Sequence, residues 1–295
     1  MSLAAVGLLA STCGAPTSRV ASALVKNVTV HFKMAVNGQA LSCLGTYTGV
    51  GNNPDAGAQV YRPSLARFYV YDVRLVDSAG SDVAVTLSDD GAWQLSDAGV
   101  VMINGENGGS CAGPRGNLEV VGALPPGAYH GLKFRVGLPE HLNHLLVDAL
   151  PSPLNQSAMY WSWTSGYRFL RVEGFDSKLA GLPGGLLHLG ATACALNVSG
   201  DPTQGASCTY PNSFEVAFSS FEPETNTVVF DIGTLFKDTD LAVNAGGVVG
   251  CMSALDDPEC PPIFRKLGLP YGEALPDGGL LVVQPATGQT VFTVE

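Results

Sequence analysis

Two of the chain's three tryptophans lie in Met159-Tyr160-Trp161-Ser162-Trp163-Thr164-Ser165-Gly166-Tyr167-Arg168-Phe169, with His144 before this stretch and His188 after it. Its residues alternate, Trp161, Trp163 and Ser165 on one side and Tyr160, Ser162 and Thr164 on the other. A period of two is the mark of a strand. A strand continuing to Val172 would be a rigid platform aiming both indoles at one place. Imidazole nitrogen is a ligand for copper, zinc, iron and nickel. The His–Trp–Trp–His order is therefore read as the functional centre.

Other candidates carry less chemistry. His141 and His144 are spaced i, i+3 and could share a helical face, although surface histidines do the same. His31 stands mid-strand and His130 follows a turn, both ordinary places for a structural histidine. Met34, Met159 and Met252 could offer thioethers to Cu(I), but methionine more often fills a core. Asp72, Glu106, Glu173 and Asp231 show no spacing that marks an acid/base pair. There is no phosphate loop, no GxSxG elbow and no HExxH.

The elements that must position these residues are short strands. Asn27–Met34 alternates, turns at Asn37-Gly38 and resumes to Cys43; the Asn-Gly pair is a hairpin signal. Arg67–Val76, Val83–Leu87, Leu118–Val121 and Tyr129–Val136 follow, with residues 88–117 loop-rich around Trp93. Pro139 opens a helical turn or short helix to about Val147. Gly181–Gly185 turns the aromatic strand back into Leu186–Ala193, setting His188 beside the tryptophans. Phe214–Phe218, Thr227–Ile232, Leu280–Val283 and Thr290–Val294 are further strands, and Ile263–Gly268 is one helical turn. The sum is an all-β chain, an antiparallel β-sandwich or distorted barrel with short helical turns and disulfide-stapled loops. With no repeat and no linker, residues 21–295 read as a single β domain. Residues 1–20 read as a signal-peptide remnant or disordered N-terminus, because Leu3–Ala10 is a short apolar run leading to Cys13, a possible lipid anchor.

Composition narrows the class. A net charge of −11 with only 14% charged residues excludes a nucleic-acid binder, which needs cationic side chains against phosphate. No apolar run reaches the ~20 residues of a membrane-spanning helix. Cys13 stands apart from six other cysteines, for which 15 pairings exist. Short loops favour Cys194 with Cys208 and Cys251 with Cys260, leaving Cys43 and Cys111, but spacing alone does not fix the pairing. None forms a zinc-type CxxC, so disulfides and an oxidising compartment are expected.

The chain resembles the MbnP-like family, the four-Cys-motif proteins of a "metallo-mystery pair" system. The segments that carry this are Phe68–Val73, Asn143-His144, Pro151–Asn155, Met159–Trp163 with Gly166-Tyr167, His188–Cys194, Cys208 with Pro211-Asn212, and Gly250–Ser253 to Cys260. The resemblance implies an exported bacterial copper-binding protein of the periplasm or outer cell surface, without enzymatic activity. It implies a partner, a MauG-like dihaem cytochrome c peroxidase, which oxidises a tryptophan of relatives to kynurenine. An indole nitrogen is a poor ligand, since its lone pair belongs to the ring; opening the ring frees an aniline amine that can donate. Carried over, the copper ligands are His144 and His188 with the residue derived from Trp163 or Trp161, and His31 in reserve. Where relatives often have histidine in the Tyr69–Tyr71 strand, this chain has Tyr71. The motif cysteines are Cys194, Cys208, Cys251 and Cys260, with Cys43–Cys111 as a third bridge. Two other functions compete. One is a metal-independent disulfide-stapled module binding a glycan or protein through Tyr160, Trp161 and Trp163. The other is a secreted copper oxidoreductase.

Overall fold

The computed structural model describes residues 24–52, 60–105, 116–176, 184–196 and 206–295, with the side chains of Asp176 and Leu196 left aside. The expectations for residues 1–20, Cys13 and Cys111 fall outside these residues.

Two sheets face each other. The first runs Phe292–Val294, Thr227–Asp231, Lys26–Val36, Glu119–Leu124, Thr86–Leu87, with Gln39–Ala40 hairpinned onto Lys26–Val36. Lys26–Val36 pairs antiparallel with Glu119–Leu124 but parallel with Thr227–Asp231. The second sheet is built on the 17-residue strand Tyr61–Asp77. That strand pairs with Val100–Asn104, Tyr129–Val136, Asp82–Ala84 and Leu170–Asp176; Leu187–Leu189 pairs with Leu170–Asp176 in turn. The two sheets form a sandwich, and among the described residues no barrel closes.

The core lies between the sheets because each strand turns one row of apolar side chains inward. Val28, Val30, Phe32 and Met34 alternate inward from the first sheet. Phe68 of the second sheet meets Phe32 (ring centroids 6.2 Å apart), Phe230 (5.4 Å) and Phe292 (5.4 Å) of the first. These edge contacts add to the area that the rings bury.

Local signals explain the ends of the elements. Asn37 and Gly38 take φ of 51° and 75°, as a two-residue hairpin loop requires. The Asp231 carboxylate accepts from both of their amides, at 3.0 and 2.7 Å, and from Thr234 N at 3.1 Å, capping helix Ile232–Phe236. Helix Cys260–Leu267 begins with prolines and ends on Gly268 at φ 69°; it starts three residues before the expected turn.

Several expectations need correction. The stretch 88–117 is not all loop: Val100–Asn104 is a strand with all five residues buried. Val83–Leu87 is split at Val85, so that Asp82–Ala84 joins one sheet and Thr86–Leu87 the other. The aromatic strand is also broken. Tyr160–Ser162 and Gly166–Tyr167 form a small hairpin, and Leu170–Asp176 is a separate strand of the large sheet. The cause is turn chemistry. Ser162 Oγ accepts from Ser165 N at 3.1 Å and lies 2.8 Å from Thr164 Oγ1, and Gly166 adopts φ 76°.

Among the described residues, no helix is long and apolar enough to cross a membrane.

Candidate metal centre

The broken strand separates the two indoles. Trp161 lines a cavity of about 900 Å³ together with His188, Cys194 and Met252. Trp163 sits in the turn and lines a different cavity, against Leu146–Ala149. The expectation that both project to one side is therefore corrected. Tyr160 packs edge-on against Tyr167, centroids 4.9 Å apart, and lines the cavity of Trp163, not that of Trp161. Trp161 packs against Gly190: a Cβ there would fall 2.4 Å from the indole and 2.5 Å from the Tyr167 carbonyl. Only glycine allows this approach.

His188 reaches the cavity from strand Leu187–Leu189, opposite Arg171. The strand period that places Arg171 and Glu173 on one face brings both to its ring. Nε2 lies 2.6 Å from Glu173 Oε1, so Nε2 carries the proton and donates to the carboxylate. Arg171 Nε, 3.2 Å from the same nitrogen, is itself a donor; its hydrogen bond goes to Glu173 Oε1 at 2.6 Å. The lone pair of His188 thus resides on Nδ1, which makes no hydrogen bond to a described residue. A ring nitrogen fixed in this way by a carboxylate is how metal-ligating histidines are commonly oriented. Burial lowers the His188 pKa from its ordinary 6.5, against the upward pull of Glu173, so the ring is neutral at pH 7.

Burial raises the Glu173 pKa, but the hydrogen bonds and charges of His188 and Arg171 together outweigh it and hold the carboxyl below its ordinary 4.5. The stability this contributes is complete above the ordinary value and is lost as pH falls through the lowered one. Glu173→Ala leaves Arg171 and His188 without their shared acceptor. We expect a loss of about 2–3 kcal/mol at pH 7, read by urea unfolding, and a smaller difference from wild type at pH 3.

His144 is fully buried, with 1% of its surface exposed, and its hydrogen bonds fix its tautomer. Tyr167 N–H donates to Asn143 Oδ1 at 3.0 Å, which turns the Asn143 amide nitrogen toward His144 Nε2 at 3.1 Å. Nε2 must accept. Nδ1 then donates to the Trp163 carbonyl at 2.8 Å. Gly166 makes room for this, since a Cβ there would come within 2.8 Å of the Asn143 amide.

His144 does not line the Trp161 cavity. Its Nε2 lies 3.4 Å from Cys208 Sγ, and Cys194, the disulfide partner of Cys208, forms part of the cavity wall. His144, Cys194 and Cys208 bring their donor atoms within 4.8 Å of one another, but the two sulfurs are bonded to each other and offer no thiolate. Cys251 with Asp257 and Cys260 is a second such group with its sulfurs likewise bonded. Cys43 is disulfide-bonded as well.

The remaining histidines stand elsewhere. His31 is half exposed on the outer face of the first sheet, 3.4 Å from Glu119. His130 is exposed beside Glu222, and His141 is exposed where His144 is buried, so the i, i+3 pair does not share a face. Tyr71 Oη accepts from Arg135 Nε at 3.0 Å and lies 2.9 Å from Ser213 Oγ.

Sequence reasoning missed the parts played by Arg171, Glu173 and Asn143. The signal for the first two was their i, i+2 spacing in a strand that pairs antiparallel with Leu187–Leu189, setting Arg171 opposite His188.

The family model for MbnP matches residues 25–253. Among solved structures, MbnP from Methylosinus trichosporium is 33% identical, superposes with a TM-score of 0.77, and covers 92% of this chain and 98% of its own. No curated protein matches the chain. The family match spans the hairpin, the two buried histidines and the Cys194–Cys208 pair, and the chain belongs to the MbnP family.

Proposed function

We propose that the chain is an exported, non-enzymatic copper-binding protein, and that a dihaem peroxidase of the MauG-like class prepares its site by oxidising Trp161 to kynurenine. The single observation that carries this reading is that Trp161 and His188 line one cavity while Trp163 lines another. His188 supplies an unprotonated Nδ1. His144, behind the Cys194–Cys208 wall of the cavity, is the second imidazole: its Nε2 carries no proton, because Nδ1 donates to Trp163, and binding copper exchanges its hydrogen bond from Asn143 for the metal. The donor set fits copper: among the described residues, no carboxylate lines this cavity, which makes it a poor site for calcium or magnesium.

The unmodified indole has no lone pair to give. Ring opening leaves an aniline amine on the same side chain, so the oxidation creates a ligand at a place already beside His188. The disulfides, two between described residues, support export to an oxidising compartment such as the periplasm or cell surface.

Intact mass tests the modification. Protein made together with the peroxidase partner should gain one oxygen and lose one carbon relative to protein made without it, with the change mapped to Trp161 by peptide fragmentation. Unchanged mass in the presence of an active partner would contradict the proposal.

A further inference from the structure

Met252 stands beside His188 for reasons that lie in the backbone. Leu187 and Cys251 form a parallel bridge. Cys251 N donates to Leu186 O at 3.0 Å, and His188 N donates to Cys251 O at 2.9 Å. On the other side of Met252, Ser253 Oγ donates to His188 O at 2.7 Å and accepts from Gly190 N at 2.8 Å. Both neighbours of Met252 are therefore bonded to the backbone of His188. Residues side by side in such a pairing project to the same face, and the side chains of Met252 and His188 line the same cavity.

The segment is held at further points. Met252 N donates to Asp257 Oδ2 at 2.8 Å. Cys251 is bonded to Cys260 at the start of a helix. Ser253 is fully buried and sits at φ 76°, a left-handed conformation that costs a non-glycine residue about 1–3 kcal/mol and persists only where its surroundings over-determine it. Core filling demands no such fixation, because methionine is the adaptable filler of irregular gaps. Met34, Met102 and Met159 do fill the core, each at 3% exposure or less. Met252 is half-buried instead, at the cavity wall.

We infer that the Met252 thioether is a further metal ligand beside His188, and that it gives the cavity a preference for Cu(I) over Cu(II). A thioether is a soft donor, neutral and polarizable, which selects Cu(I) where imidazole alone accepts many divalent ions. This rests on the copper reading above and adds a ligand to it.

The test uses the chain as made with its peroxidase partner and the copper ion alone as probe. In selenomethionine-labelled protein loaded with Cu(I), X-ray absorption at the copper edge should show a copper–selenium shell, which Met252→Leu removes. Leucine keeps volume and apolarity, so the fold is retained. In a chelator competition Met252→Leu should bind Cu(I) at least about tenfold more weakly, the lower end of what losing even an outer partner of a ligand costs, with Cu(II) affinity unchanged. No selenium shell, or equal Cu(I) affinity in the two proteins, overturns the inference. His188→Ala separates it from the reading beneath. If that variant loses copper while Met252→Leu does not, only the thioether ligand is wrong; if His188→Ala keeps copper at the wild-type level, the copper site itself is misplaced and the ligand falls with it.

Discussion

Trp161→Phe, made together with the peroxidase partner, should show neither the mass change nor bound copper, whereas Trp163→Phe should keep both. The reason is geometric. Trp161 lies on Gly190 at the wall of the His188 cavity, so an amine released from its ring stays among the other donors. Trp163 turns its ring toward Leu146–Ala149. Among the described residues its link to the site is its backbone carbonyl, which accepts from His144 Nδ1 and survives replacement of the side chain. Copper per chain by elemental analysis, beside intact mass, checks both halves. The reverse pattern, with Trp163→Phe losing copper and Trp161→Phe keeping it, would move the modified residue to the turn.

The largest expected loss of stability is at Phe68→Ala. Phe68 has no exposed surface, and its ring touches Phe32, Phe230 and Phe292 from the facing sheet. Truncation removes the transfer free energy of the ring and leaves a hole that strands on both sides hold open. A loss of about 3–5 kcal/mol is expected. Urea unfolding should show a lower midpoint with an unchanged slope, because the surface exposed on unfolding is nearly the same. The effect should reach the site as well, since Leu170, which pairs with Phe68, immediately precedes Arg171 in the strand that also carries Glu173.

Much of the sandwich was legible because most of its strands bury one face. Lys26–Val36 and Phe214–Phe218 alternate between buried and exposed residues and so declare themselves. Val100–Asn104 did not, because both of its faces are covered and a period of two has nothing to contrast. The aromatic stretch misled for the opposite reason. Its large residues keep a period of two through Trp163, while Ser162, Thr164, Ser165 and Gly166 supply a turn, and the turn chemistry prevails. Neighbouring cysteines were a sound guide to Cys194–Cys208 and Cys251–Cys260, since short loops close at low entropic cost.

The site was only partly legible. His188 and Trp161 were visible as residue types, but Glu173 showed no partner until strand pairing set Arg171 opposite His188. The pinning of Cys251 and Ser253 onto His188 joins residues more than sixty positions apart and leaves no local trace in the sequence. The tautomer of His144 depends on Tyr167 and Asn143 together, a three-residue arrangement that no spacing rule contains.

If the cavity shared by Trp161 and His188 holds the copper, copper content after co-production with the dihaem peroxidase and passage over a chelating resin should separate wild type from His188→Ala. One copper per wild-type chain and background copper in the variant are expected, with far-ultraviolet circular dichroism unchanged. Equal copper in the two folded proteins would contradict this placement.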